Sequence, residues 1–117
     1  MIMIEGKRIT IRPAERPWTI RAGGAVIGET SRALELDEAG HDPVIYFPRE
    51  DLAMAFLEPS ETQSVCPFKG KATYWNIIAK SGPILDAGWS YDEPNPEAQE
   101  IAGYIAFHPD RVTVEEV

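Results

Sequence analysis

Hydrophobic and polar positions alternate in short stretches along much of this chain, and the alternation gives way to other patterns at a few places. Between Lys7 and Arg12, Ile9 and Ile11 fall on one side and Arg8, Thr10 and Arg12 on the other, the period-two pattern of a half-buried strand. Pro13 and Pro17 interrupt it. Trp18 and Ile20 then alternate with Thr19 and Arg21 as far as Gly23-Gly24, where positive backbone φ costs little, so a hairpin into Ala25 to Thr30 is expected. Leu34 and Leu36 alternate with Glu35 and Asp37 to make a further strand, and Glu38 to Pro43 is rich in turn residues. Val44-Ile45-Tyr46-Phe47 is continuously apolar and β-prone, which predicts a more central strand ended by Pro48.

From Pro48 to Leu57 the period changes. Leu52 with Phe56, and Ala53 with Leu57, are four apart, and Glu50 and Asp51 sit where a helix dipole favours negative charge, so a short helix is expected. Pro59 stops it. Thr62 to Val65 predicts a strand leading into Cys66-Pro67-Phe68-Lys69-Gly70-Lys71, and Ala72 to Ala79 is the strongest strand of all, with Thr73, Trp75 and Ile77 on one face and Tyr74 and Ile78 on the other. Ser81-Gly82-Pro83 turns the chain into an extended Ile84 to Trp89. Asn95 followed by Pro96 is the preferred order for starting a helix, predicted over Glu97 to Ala102. The tail, Tyr104 to Val117, reads as a hairpin turning at His108-Pro109-Asp110-Arg111. Eight to ten short strands with one or two short helices predict a mainly β fold of antiparallel sheets.

Composition narrows the classes. The 117 residues, 44% of them hydrophobic, suit a single compact domain spanning residues 1–117 with one packed core. Eleven Lys and Arg against nineteen Asp and Glu leave a net charge of −8, which repels a phosphate backbone and argues against nucleic acid as a partner. No eighteen-residue apolar run exists, and Met1-Ile2-Met3-Ile4-Glu5 is too short and acidic for a signal peptide, so a soluble, cytoplasmic protein with no membrane partner is expected. A single cysteine, Cys66, excludes an internal disulfide and the paired-thiolate half of a zinc site.

Several residues can carry chemistry. Cys66 precedes Lys69 by three positions, so an ammonium can favour its thiolate if both enter one pocket; otherwise it is a small core hydrophobe. Lys69 stands between Phe68 and Gly70 at a strand entrance, where glycine lets a ligand approach the backbone, yet Lys69-Gly70-Lys71 lacks the flanking residues of a phosphate loop. Tyr74, Trp75, Trp89 and Tyr91 belong to an aromatic set too large to lie wholly exposed, and Trp75 and Trp89 lie on successive strands. Arg32 either meets an anionic ligand or pairs with an acid. His41 and His108 fall in turns, and no spacing singles out a catalytic pair among the carboxylates.

Val44-Ile45-Tyr46-Phe47-Pro48, Ser64-Val65-Cys66-Pro67-Phe68-Lys69-Gly70-Lys71-Ala72-Thr73-Tyr74-Trp75, Trp89-Ser90-Tyr91-Asp92-Glu93-Pro94 and Ile105-Ala106-Phe107 together resemble the bacterial and fungal family called domain of unknown function 427, from about Trp18 to Val114. The resemblance implies a fold similar to β-tent proteins, in which antiparallel sheets lean together over a cavity. Many β-tent proteins hold zinc through paired Cys-x-x-Cys motifs, which this chain lacks, so no metal and no cofactor is expected. An older label of nucleotidyl transfer finds no support in a glycine-rich cradle or a two-carboxylate metal motif. The expected function is binding of a small organic, anionic ligand in a pocket built from Cys66, Lys69, Arg32, Tyr74, Trp75, Trp89 and Tyr91, with catalysis by Cys66 left open. A structural or interaction module forming a homodimer is the alternative.

Overall fold

Ten strands account for most of the chain between residues 8 and 117, which are the residues the computed structural model describes. Lys7 of the expected first strand, and the opening stretch read as no signal peptide, lie outside the described residues. The strands are β1 (Ile9–Pro13), β2 (Trp18–Ala22), β3 (Ala25–Thr30), β4 (Leu34–Glu38), β5 (Val44–Tyr46), β6 (Leu57–Cys66), β7 (Gly70–Ala79), β8 (Gly82–Ser90), β9 (Ile105–Phe107) and β10 (Thr113–Glu116). They form three antiparallel sheets with the orders β1-β4-β5, β10-β2-β3 and β6-β7-β8-β9. The mainly β expectation holds.

The four-stranded sheet is a shared wall. On β7, Ala72 and Tyr74 face one apolar cluster with Ile9, Leu36, Tyr46 and Ile101, while Trp75 and Ile77 face another with Ile20, Ile27, Phe47 and Phe107. The strict alternation of β7 therefore serves two half-cores rather than the single one expected, because both faces of its sheet are covered. Consecutive residues Tyr46 and Phe47, 1% and 0% exposed, are divided between them. Phe47 also joins two sheets, exchanging both backbone hydrogen bonds with Ile105 at 2.8 and 2.9 Å.

Three expectations are corrected. Pro48 to Leu57 is not one helix but two single 3-10 turns, Arg49–Asp51 and Met54–Phe56. Leu52 between them is extended and bridges Gly28, and the Ala53 amide donates to the Ile27 carbonyl at 2.7 Å, so the backbone spends its bonds on β3 rather than on a helix. Gly28 permits this approach, since a Cβ there would stand 2.7 Å from the Asp51 carbonyl oxygen. The tail is not a hairpin either: β9 pairs with β8, and β10 crosses to β2. Finally, Pro96 opens a kinked 3-10 segment, Pro96–Ile101, but Asn95 does not cap it through its side chain.

Register within the wall is pinned by bulges. Between the pairs Pro59↔Trp75 and Gln63↔Thr73 the edge strand β6 carries surplus residues, and β8 does the same between Ile84 and Gly88, where Asp86 adopts φ +51°.

Candidate functional site

The turn from Cys66 to Gly70 is built by its neighbours. Gly70, at φ +114°, returns the chain into β7, and the Asn95 side chain that fails to cap its helix donates from Nδ2 to the Pro67 carbonyl at 3.1 Å. The Asn95 amide donates to the Lys69 carbonyl at 2.9 Å. The loop before the last 3-10 segment thus fastens both ends of the turn, leaving the side chains of Cys66, Phe68 and Lys69 to face β4 and β5.

Between them lies a hollow of about 340 Å³. Leu36, Val44, Pro67 and Phe68 supply its apolar surface; His41 and Asp42, from the turn after β4, also line it. Cys66 and Lys69 both line this hollow. The Lys69 ammonium, however, is not open to an anion: its Nζ donates to Glu38 Oε1 at 2.5 Å, and the two side chains are only 13% and 9% exposed. Arg8 adds a second cation, with Nε 3.8 Å from Glu38 Oε2 and its guanidinium carbon 3.9 Å from the Phe68 ring centre.

Behind the turn is an aromatic floor. The register places Tyr74 opposite Trp89, and Ala72, Tyr74, Trp89, Tyr91 and Cys66 all belong to the same half-core. Trp89 Nε1 donates to the Tyr46 hydroxyl at 3.3 Å, its ring edge-on to that of Tyr46, while the Lys69 ammonium lies 5.9 Å from the centre of the Tyr91 ring. Tyr74, Trp89 and Tyr91, expected as walls of the pocket, do not line the hollow itself; they pack behind it, where His108 covers Trp89 at a ring separation of 4.5 Å and stacks on Tyr74 at 6.5 Å. The Tyr74 hydroxyl pairs with Ser64 Oγ at 3.0 Å.

Burial is the principal reason that the Tyr46 and Tyr91 hydroxyls are both pushed above the ordinary phenol range. Because the folded state holds these protons more tightly than the unfolded chain, their contribution to stability is complete below about pH 10 and is lost as pH rises beyond it. In an alkaline titration followed by near-ultraviolet absorbance, the Tyr46 and Tyr91 phenolates should appear only with loss of the fold. Tyr46→Phe and Tyr91→Phe should each remove part of that late step; ionisation near pH 10 with the fold intact would contradict the assignment.

Two expected site residues lie elsewhere. Arg32 pairs with an acid: its Nε and Nη2 donate to Asp51 at 3.3 and 3.0 Å, and it lines a separate hollow of about 280 Å³ with Arg49 and Tyr104. The Thr30 hydroxyl, 2.7 Å from Asp51, together with Arg32 holds the Asp51 carboxyl below its usual range. Trp75 is on the opposite face of the wall, where Nε1 donates to Ser90 Oγ at 3.0 Å. Ser90 donates to Asp92 at 3.0 Å, and Arg49, its guanidinium carbon 4.9 Å from the Trp75 ring centre, donates to Asp92 at 2.6 Å and to the Gly103 carbonyl at 2.6 Å. Sequence reasoning passed over Arg49; the signal available was its position between Pro48 and two acids, which is weak. Arg8 and Glu38 were also not singled out for the pocket, since their meeting with Phe68 and Lys69 depends on strand pairing.

Among the described residues, no group of three or more His, Cys, Asp and Glu is arranged to hold a metal, and no helix is long and apolar enough to cross a membrane. A family model described as Domain of unknown function (DUF427) matches residues 10–117. The chain belongs to that family. The match takes in every strand of the fold except Ile9 of β1, and with it the Cys66 to Gly70 turn. No curated protein matches the chain.

Proposed function

We propose that this protein binds a small organic molecule in the hollow between the Cys66 to Gly70 turn and strands β4 and β5. The observation that carries the reading is the make-up of that hollow: about 340 Å³, with an apolar surface from Leu36, Val44, Pro67 and Phe68 beside polar groups of which Lys69 and Glu38 are held by each other. This is the usual make-up of a small-molecule site, at the lower end of the usual size. A β-tent arrangement, in which the β1-β4-β5 sheet and the four-stranded sheet lean together over the hollow, is part of the same proposal. A cytoplasmic setting accords with a lone, unpaired thiol, and a bacterial one with the family resemblance. Binding is better supported than cysteine chemistry, because the ammonium that would favour the Cys66 thiolate is engaged by Glu38.

A fragment screen by thermal shift tests the proposal, since a ligand of the native state raises its stability. Fragments that raise the melting midpoint should also slow alkylation of Cys66 by iodoacetamide. Stabilising fragments that leave the Cys66 rate untouched would put the site somewhere else.

The second reading, a homodimer, is favoured by β6. This ten-residue strand is an edge of its sheet among the described residues, and Val65 on it is 76% exposed. Glu58, Pro59, Glu61 and the bulge oppose pairing along its first half, so a partner copy would use Gln63 to Cys66. Sedimentation showing one monomeric species at every concentration would remove this reading.

A further inference from the structure

We propose that the hollow takes a singly charged carboxylic acid with an apolar body, held by Arg8 rather than by Lys69. This rests on the binding reading above and adds the class of ligand and the residue that selects it.

Arg8 has the geometry of a carboxylate clamp. Its guanidinium carbon is 3.9 Å from the centre of the Phe68 ring, so the side chain is held against the turn by a cation–π contact. Its only acidic neighbour among the described residues is Glu38, at 3.8 Å, which is beyond hydrogen-bond distance, and its guanidinium donates no hydrogen bond to another described residue. With its side chain 41% exposed at the rim of the hollow, Arg8 keeps its planar set of N–H donors for an incoming acid, the arrangement in which arginine grips a carboxylate with two parallel bonds. Lys69 cannot do this without abandoning Glu38.

Charge limits the ligand further. Arg8 and Lys69 are balanced in the lining by Glu38 and Asp42, and the chain as a whole carries −8. A single carboxylate takes the lining one unit negative, and it can do so only against Arg8, the cation that no described acid holds by a hydrogen bond. A phosphate or a dicarboxylate brings a further negative charge towards Glu38 and Asp42 with no free cation to receive it. Leu36, Val44 and Pro67 then favour an apolar body over a sugar or a polar chain.

The test uses three matched probes, 3-phenylpropionate, 3-phenylpropanamide and 2-phenylethyl phosphate, with ¹H–¹⁵N spectra of the full chain. The acid should move the amides of Cys66, Phe68 and Lys69 at millimolar concentration and bind at least about tenfold tighter than the other two. Arg8→Gln should weaken it about tenfold, with changes in the unliganded spectrum confined to the surroundings of Phe68 and Glu38, which Arg8 touches; Arg8→Lys should recover only part of that loss. If the amide binds at the same residues as tightly as the acid, or Arg8→Gln leaves the acid's affinity unchanged, the carboxylate assignment falls while the binding site stands. If none of the probes, nor amine and alcohol analogues of the same skeleton, moves those amides, both the assignment and the binding reading fall.

Discussion

Replacing Lys69 with methionine lowers the melting midpoint by about 12 °C or more. The substitution leaves the Glu38 carboxylate, 9% exposed, without the ammonium 2.5 Å away, and removing one member of a buried ion pair costs about 3 kcal/mol or more. In a domain of this size each kcal/mol corresponds to about 4 °C. Arg8, at 3.8 Å, is a partial substitute and keeps the loss at the lower end. The pair replaced together, Glu38→Leu with Lys69→Met, should recover most of the stability, because the uncompensated charge is gone and Leu36 and Val44 lie in the same hollow. A double-mutant cycle by thermal denaturation measures this, and a single Lys69→Met variant within about 0.5 kcal/mol of the wild type would mean that water already screens the pair. The consequence for function is practical: loss of binding in a Lys69 variant confounds a missing contact with a weakened fold, which is why Arg8 is the cleaner probe of the site.

Phe47→Ala should cost about 3–5 kcal/mol, read as a lower urea midpoint. The side chain is 0% exposed and packs edge-on against Phe107 with ring centres 5.9 Å apart. Its backbone ties the β5 end of the chain to β9, so the cavity opens at the junction of two sheets, where neither can collapse into it without breaking the Ile105 pairing. A cost below about 1 kcal/mol would show that the junction repacks freely. Phe47→Leu keeps most of the volume and should be much milder.

How much of this was visible in the sequence depends on the range over which each feature is decided. The facing of Trp75 and Tyr74 to opposite sides of β7 follows from period two alone, and the hairpin at Gly23-Gly24 follows from local turn chemistry. Both hold. Leu52 and Phe56 have helical spacing, but whether their backbone closes on itself or on Ile27 and Gly28 depends on a strand more than twenty residues away. Tyr104 to Val117 carries two strand patterns with a good turn between them, and nothing local says that one joins β8 while the other joins β2. The candidate site divides in the same way. Cys66 and Lys69 come together because the turn puts them there; Glu38, 31 residues earlier, decides what Lys69 is available for. Arg32 had two readings, and the one with an acid is what Asp51 realises.

The bulges on β6 and β8 carry a last consequence. Residues 72 to 75 of β7 alternate between two half-cores, so deleting or inserting one residue there would exchange a tyrosine for a tryptophan on both sides of the sheet at once. Ser60 to Thr62 already stands outside the regular ladder, and a length change in that stretch is absorbed locally. Tolerance to insertion and deletion is therefore concentrated on the outer strand, and the middle strand sets a fixed ruler against which the rest of the molecule is measured.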